Sequence, residues 1–159
     1  MISCLELAAR VREGEVFAGR ATRTERRFLD FVIDGKSLWE MLKKPDMVSI
    51  LCFEYAAAAP HESFKAVNRL LLLEEADHAD NRRSLFICPE CGDLGCAAIS
   101  CVISRADNAF IWQDFGGQHN YDDALHLHLA PYQSVGPFIF DAVAYEAVLK
   151  EWPSQFPNL

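Results

Sequence analysis

Ala97-Ala98-Ile99-Ser100-Cys101-Val102-Ile103-Ser104, then Arg105-Ala106-Asp107-Asn108, then Ala109-Phe110-Ile111-Trp112-Gln113-Asp114-Phe115 decides the fold. Two runs rich in β-branched and aromatic residues flank a stretch with turn-forming Asp and Asn, which reads as a β-hairpin. Alternate residues of a strand share a face. Ala97, Ile99, Cys101 and Ile103 form an apolar one, so Cys101 is predicted to be a small core residue. Ser100 and Ser104, on the other parity, are predicted to face solvent. Gly116-Gly117 is expected to end the second strand.

Outward from the hairpin, Ser84–Ile87 and Pro137–Phe140 read as short strands. Leu5, Leu7, Ala9 and Val11 alternate with more polar residues, which predicts a half-buried strand. Residues 15–33 look mostly extended, and Asp34-Gly35 turns the chain. The apolar run Val48–Phe53 is short enough for a buried strand. Three helices are predicted. The first starts at a capping box, Ser37-Leu38-Trp39-Glu40, and runs to Lys43-Lys44 before Pro45. The second covers His61–Glu75, with Phe64, Val67, Leu70 and Leu71 facing inward. Asp141 caps the third, which runs through Trp152 with Val143, Ala147 and Val148 inward. The polar stretch Ala76–Arg83 reads as a solvated loop. Strands interrupted by a few helices, with no regular β-α-β alternation, give one α+β domain over residues 1–159. It has a largely antiparallel sheet and two or three helices, and residues 1–27 form an extended N-terminal segment.

Composition narrows the function classes. The chain has 159 residues, 51% hydrophobic and 24% charged, with a net charge of −8. That balance argues against a protein that wraps nucleic acid or coats an anionic membrane. No apolar run approaches the ~18 residues of a membrane span, and the N-terminus lacks the features of a secretory signal. A cytoplasmic location with reduced thiols is the expectation. Residues 106–159 carry seven acids against one base, a candidate surface for a partner with a basic face. Residues 10–27 carry six arginines and three glutamates, read as solvated faces with weak ion pairs.

Six cysteines remain to be explained, three of them in Cys88-Pro89-Glu90-Cys91-Gly92-Asp93-Leu94-Gly95-Cys96. Cys-x-x-Cys-Gly is a turn that zinc sites use, because glycine lets the chain fold back so that thiolates and backbone N–H groups face one point. Cys88, Cys91 and Cys96 are three candidate ligands, and a closed structural site needs four. His119 is the candidate fourth; His126-Leu127-His128 reads instead as a strand with its leucines inward and its histidines in water. A thiol enzyme is a lesser reading. Residues 92–95 look like a loop rather than a helix start, and Glu90 and Asp93 are expected to raise a thiol pKa.

Four segments together resemble a small uncharacterised bacterial protein family: Asp34-Gly35-Lys36-Ser37-Leu38, Cys88 to Cys96, Trp112-Gln113-Asp114-Phe115-Gly116 and Gly136-Pro137-Phe138-Ile139-Phe140-Asp141. The resemblance runs from about residue 28 onward and leaves out the arginine-rich segment. It implies a stand-alone bacterial cytosolic domain and carries over no catalytic residue. The leading functional expectation is therefore a non-enzymatic protein-binding module, of immunity or inhibitor type. A zinc-binding protein follows, then a thiol-dependent oxidoreductase.

Overall fold

A computed structural model describes residues 1–92, 96–119 and 126–156. The hairpin is there as β8 (Ala97–Ala106) and β9 (Ala109–His119), joined at the Ala106–Ala109 pair by a tight turn in which Asp107 has φ +53°. β9 does not stop at Gly116-Gly117; it continues to His119. An irregularity lets it do so. Asp114 has φ +56°, and the register shifts between Ser100 and Val102 of the partner strand. The bulge re-aims the chain and pairing resumes beyond it.

β7 (Arg82–Ile87) pairs with β8, and a two-residue β6 (Val48–Ser49) pairs with β7. On its other edge β9 takes β11 (Phe138–Asp141) along its first half and β10 (His126–His128) at its end. A second sheet sets β1 (Leu5–Arg12) against β4 (Arg26–Ile33), with β5 (Lys36–Ser37) beyond. Between β1 and β4 the chain makes a ribbon of β2 (Glu15–Phe17) and β3 (Arg20–Arg23). All pairs between these named strands are antiparallel. Among the described residues, four α-helices complete a mixed α+β single-domain fold: α1 (Leu38–Met41), α2 (Phe53–Ala58), α3 (Pro60–Leu70) and α4 (Ala142–Lys150).

Several elements differ from expectation for physical reasons. Ser37 takes the Glu40 N–H at 3.1 Å, as a capping box requires, but the Glu40 carboxylate turns to Arg10. α1 then ends early because Lys43 and Lys44 take left-handed conformations, φ +67° and +52°. Only Val48–Ser49 of the next apolar run pairs as a strand; its end starts α2, a helix beyond the three expected. In α3 the inward positions are Ser63, Val67 and Leu70, and Phe64 is half out, its ring edge-on to Trp152. In α4 they are Ala142, Tyr145 and Leu149, and Val143 is exposed. The Tyr145 hydroxyl fixes that rotation. It takes the Trp112 indole N–H at 2.9 Å and donates to the Leu70 carbonyl at 2.6 Å. Trp112 lies edge-on to Phe31 and Phe140 in the core between the sheets and α4.

The largest departure is polar. Arg82, Arg83 and Ser100 are buried, where solvent exposure was expected. Arg82 donates to the Ser100 hydroxyl and carbonyl and to the Asp114 carbonyl, so the bulge supplies an acceptor for an arginine inside the fold.

Candidate metal centre

Cys88 directly follows β7 and Cys96 directly precedes β8, so both lie at the open end of the β7–β8 pair. Cys91 lies on the turn between them. The three Sγ atoms all lie within 4.8 Å of one another, and the cluster can hold a metal ion. Sulfurs sharing an ion through ~2.3 Å bonds in a tetrahedron lie roughly 3.8 Å apart, so a small closure brings them to one point.

The turn is built from backbone. The Gly92 N–H donates to the Cys88 carbonyl at 3.0 Å. The N–H groups of Cys91 and Glu90 donate to the Cys88 sulfur. Gly92 has φ +68°, and a Cβ there would lie 3.1 Å from the Tyr55 ring. Both facts together favour glycine. The Tyr55 hydroxyl in turn donates to the Cys88 carbonyl at 3.1 Å.

An outer shell comes from the segment read as weakly paired surface. Arg12, 8% exposed, reaches the Glu90 carboxylate at 2.9 Å and Asp46 at 2.8 Å. Thr24 donates both its N–H and its hydroxyl to Glu90, at 3.2 and 2.8 Å. Arg26 donates to the Pro89 carbonyl at 2.8 Å and lies over the Tyr55 ring. The β1–β4 sheet thus grips the cysteine turn. These supports were missed because their partners lie 63 to 78 residues away in sequence. The only signal was the unexplained arginine density itself.

The electrostatics follow from these contacts. Thr24, with Arg12, holds Glu90 at about 2. Glu90 therefore does not burden the thiols as expected, since its charge is occupied and its amide serves Cys88. Burial pushes the Cys88 thiol up, but the amides of Cys91 and Glu90 and the neighbouring thiols outweigh it and bring it below its ordinary value. Cys96 is raised to about 11, first by its bond to Cys88. Cys88 thus gives up its proton more readily than an ordinary thiol while Cys96 holds its own, and a thiolate beside a thiol suits a cation as counter-charge.

The other cysteines stand apart. Cys101 is fully buried and burial pushes its thiol far up, as expected of a core residue. Cys52 is buried with its thiol also raised by burial, and Cys4 is exposed. His119 ends β9 opposite Ala97, the residue after Cys96, and His126 is opposite His119 on β10. The side chains of both histidines, and residues 93–95 of the expected loop, lie outside the described residues. His128 is exposed, while Leu127, expected inward, is itself 38% exposed.

Compared with protein-family models, with curated proteins and with solved structures, the chain matches none. Among the described residues, no helix is long and apolar enough to cross a membrane. The functional reading rests on the geometry of the turn.

Proposed function

We propose that the chain is a zinc-binding protein in which the thiolates of Cys88, Cys91 and Cys96 hold one ion. The convergence of the three sulfurs within 4.8 Å carries this reading. It is supported by the amide groups that face Cys88 and by the outer shell that fixes the turn. His119 or a water supplies the fourth donor. The ion's role is structural: it ties the end of β7 to the start of β8. Zinc suits this task because it accepts tetrahedral thiolate sites and has no redox chemistry of its own.

Metal analysis of protein purified without chelator tests the reading. About one zinc per chain is expected. Cys88→Ser, Cys91→Ser and Cys96→Ser should each lose most of it, and Cys4→Ser, at an exposed site, should keep it. Cobalt exchanged into the site should show thiolate-to-metal charge transfer. Wild-type protein without stoichiometric zinc or iron would sink the proposal.

The metal reading now stands ahead of the protein-binding one. Two of the seven acids expected to form a partner surface have local tasks. Asp141 caps α4 by accepting the Ala144 N–H at 3.0 Å, and Glu146 pairs with Arg105 and Lys150.

A further inference from the structure

A cavity of about 260 Å³ lies between α2, α3 and the face of β7, with Cys91 and Gly92 in its wall. Its apolar side is Ile50, Ile87, Tyr55 and three alanines. Its polar side is Glu62, Ser63, Arg69, Asp77 and Ser84. The Glu62 side chain is largely exposed and lies 3.3 Å from His61, whereas that of Asp77 is buried. That combination, a largely apolar hollow with a few convergent polar groups, is the usual form of a small-molecule site.

The polar groups are not satisfied by one another. Ser63 is buried, yet its hydroxyl has no hydrogen bond among the described residues. Arg69 has no carboxylate within ion-pair reach among them either. Ser84 is decided by a chain of donors. Arg82 can only donate, and it does so to the Ser100 hydroxyl at 3.0 Å. Ser100 passes its own proton to Gln118 Oε1 at 2.5 Å. The Gln118 amide nitrogen then faces His78 Nδ1 at 2.6 Å, so the His78 proton is on Nε2 and goes to the Ser84 hydroxyl at 2.6 Å. The opposite amide orientation would strand the proton of Ser100, which is fully buried. Burial also keeps His78 neutral by lowering its pKa. Ser84 is therefore left with a proton and no acceptor among the described residues, at the wall of the cavity. Asp77 accepts the Ser84 N–H at 3.1 Å through one carboxylate oxygen and lies 3.7 Å from His78 through the other.

We propose that this cavity binds a small α-amino acid with an apolar side chain. Ser63, Ser84 and Arg69 supply donors for the carboxylate, Asp77 takes the ammonium group, and the side chain lies on Ile50, Ile87 and Tyr55. Arg69 and one buried anion, Asp77, in the same wall match a zwitterion better than either a simple carboxylate or an amine; Glu62, the other anion of the lining, is turned largely to water.

The cavity shares Cys91 with the thiolate cluster, but none of the groups assigned to the ligand is one of its thiols, so the test is run on protein whose zinc content is measured in parallel. L-leucine and L-phenylalanine are titrated by calorimetry, with backbone amide NMR as the second readout. At least one should bind and shift the amide signals of Ser63 and Ser84. 4-Methylpentanoate, which lacks the ammonium group of leucine, should bind at least tenfold more weakly than leucine. Arg69→Met and Asp77→Asn should each weaken binding about tenfold with zinc content unchanged. The Asp77→Asn side chain keeps an oxygen for the Ser84 N–H, so that variant retains its fold. Failure of both amino acids to bind, or equal binding by both variants, overturns the proposal whatever the metal content.

Discussion

At the residue scale the turn depends on Gly92 more than on any other non-ligand. Its φ of +68° costs an L-residue about 1–2 kcal/mol. A Cβ would also press on Tyr55, whose ring is held by Arg26 and whose hydroxyl is bonded to Cys88. Gly19, at φ +76°, has nothing within 4 Å of where its Cβ would be. Gly19→Ala therefore reports backbone strain alone. Gly92→Ala should lose more stability than Gly19→Ala in urea unfolding, and it alone should lower zinc retention against a chelator. Equal losses would mean that the Tyr55 contact does not hold the turn. The three clustered cysteines were legible in the sequence, because a Cys-x-x-Cys-Gly spacing is a local property. Ser63 was not. Its helical position, four before Val67 and seven before Leu70, is an inward one, but a hydroxyl there reads as polar face until a cavity is seen beside it.

At the element scale the N-terminal strands are part of the site. The guanidinium of Arg12 is almost fully enclosed and forks between Asp46 and Glu90, both of which keep contact with water. Arg12→Met leaves those carboxylates free to rehydrate, so the loss is smaller than for a pair buried on both sides, about 1–3 kcal/mol. Outer-shell losses of this kind weaken metal sites by roughly 10- to 100-fold, and a chelator competition assay should show a drop in that range. A double-mutant cycle of Arg12→Met with Glu90→Gln should show coupling; strict additivity would mean that the two act separately. Sequence reading recovered β1, β4, the β8–β9 hairpin and β11, because each is set by alternation or by turn chemistry within a dozen residues. It missed the grip of β1–β4 on the cysteine turn, because pairing across more than 60 residues leaves no local period. It misjudged α1 and α4 at their ends and faces, where one tertiary bond, such as Tyr145 to Leu70, outweighs the apolar stripe.

At the scale of the whole molecule, the polar layer through β7, β8 and β9 replaces what the sequence suggested was a solvated edge. That the chain has a core was readable from composition, and its α+β class from the order of strands and helices. The layer was not, since Arg82, Ser100, Gln118 and His78 are each ordinary surface residues until their bonds are seen together. The layer makes stability depend on pH. Burial lowers the His78 pKa from its usual 6.5; Asp77 opposes this, and the positive charges of Arg82 and Arg69 add to it. In the unfolded chain His78 takes a proton near pH 6.5, whereas the folded chain resists it. The unfolded state then binds more protons than the folded one, and stability falls as pH drops. The full contribution is present above about pH 6.5 and is lost as pH falls toward the lowered folded pKa, with a slope of at most about 1.4 kcal/mol per pH unit. Asp46 and Glu90, both held below their ordinary values, lose their contributions only at lower pH, beneath about 4.5. Among the groups with a resolved shift, His78 is the one that titrates between pH 7 and pH 5, once proton competition for the thiolates is removed, and its replacement separates it from the other histidines. Urea unfolding of Cys88→Ser protein across that window should show stability falling with pH. Cys88→Ser/His78→Gln, in which a neutral amide replaces the imidazole, should show a flatter profile. Parallel profiles would mean that His78 titrates alike in both states, and that the donor chain from Arg82 to Ser84 can accept a proton without breaking.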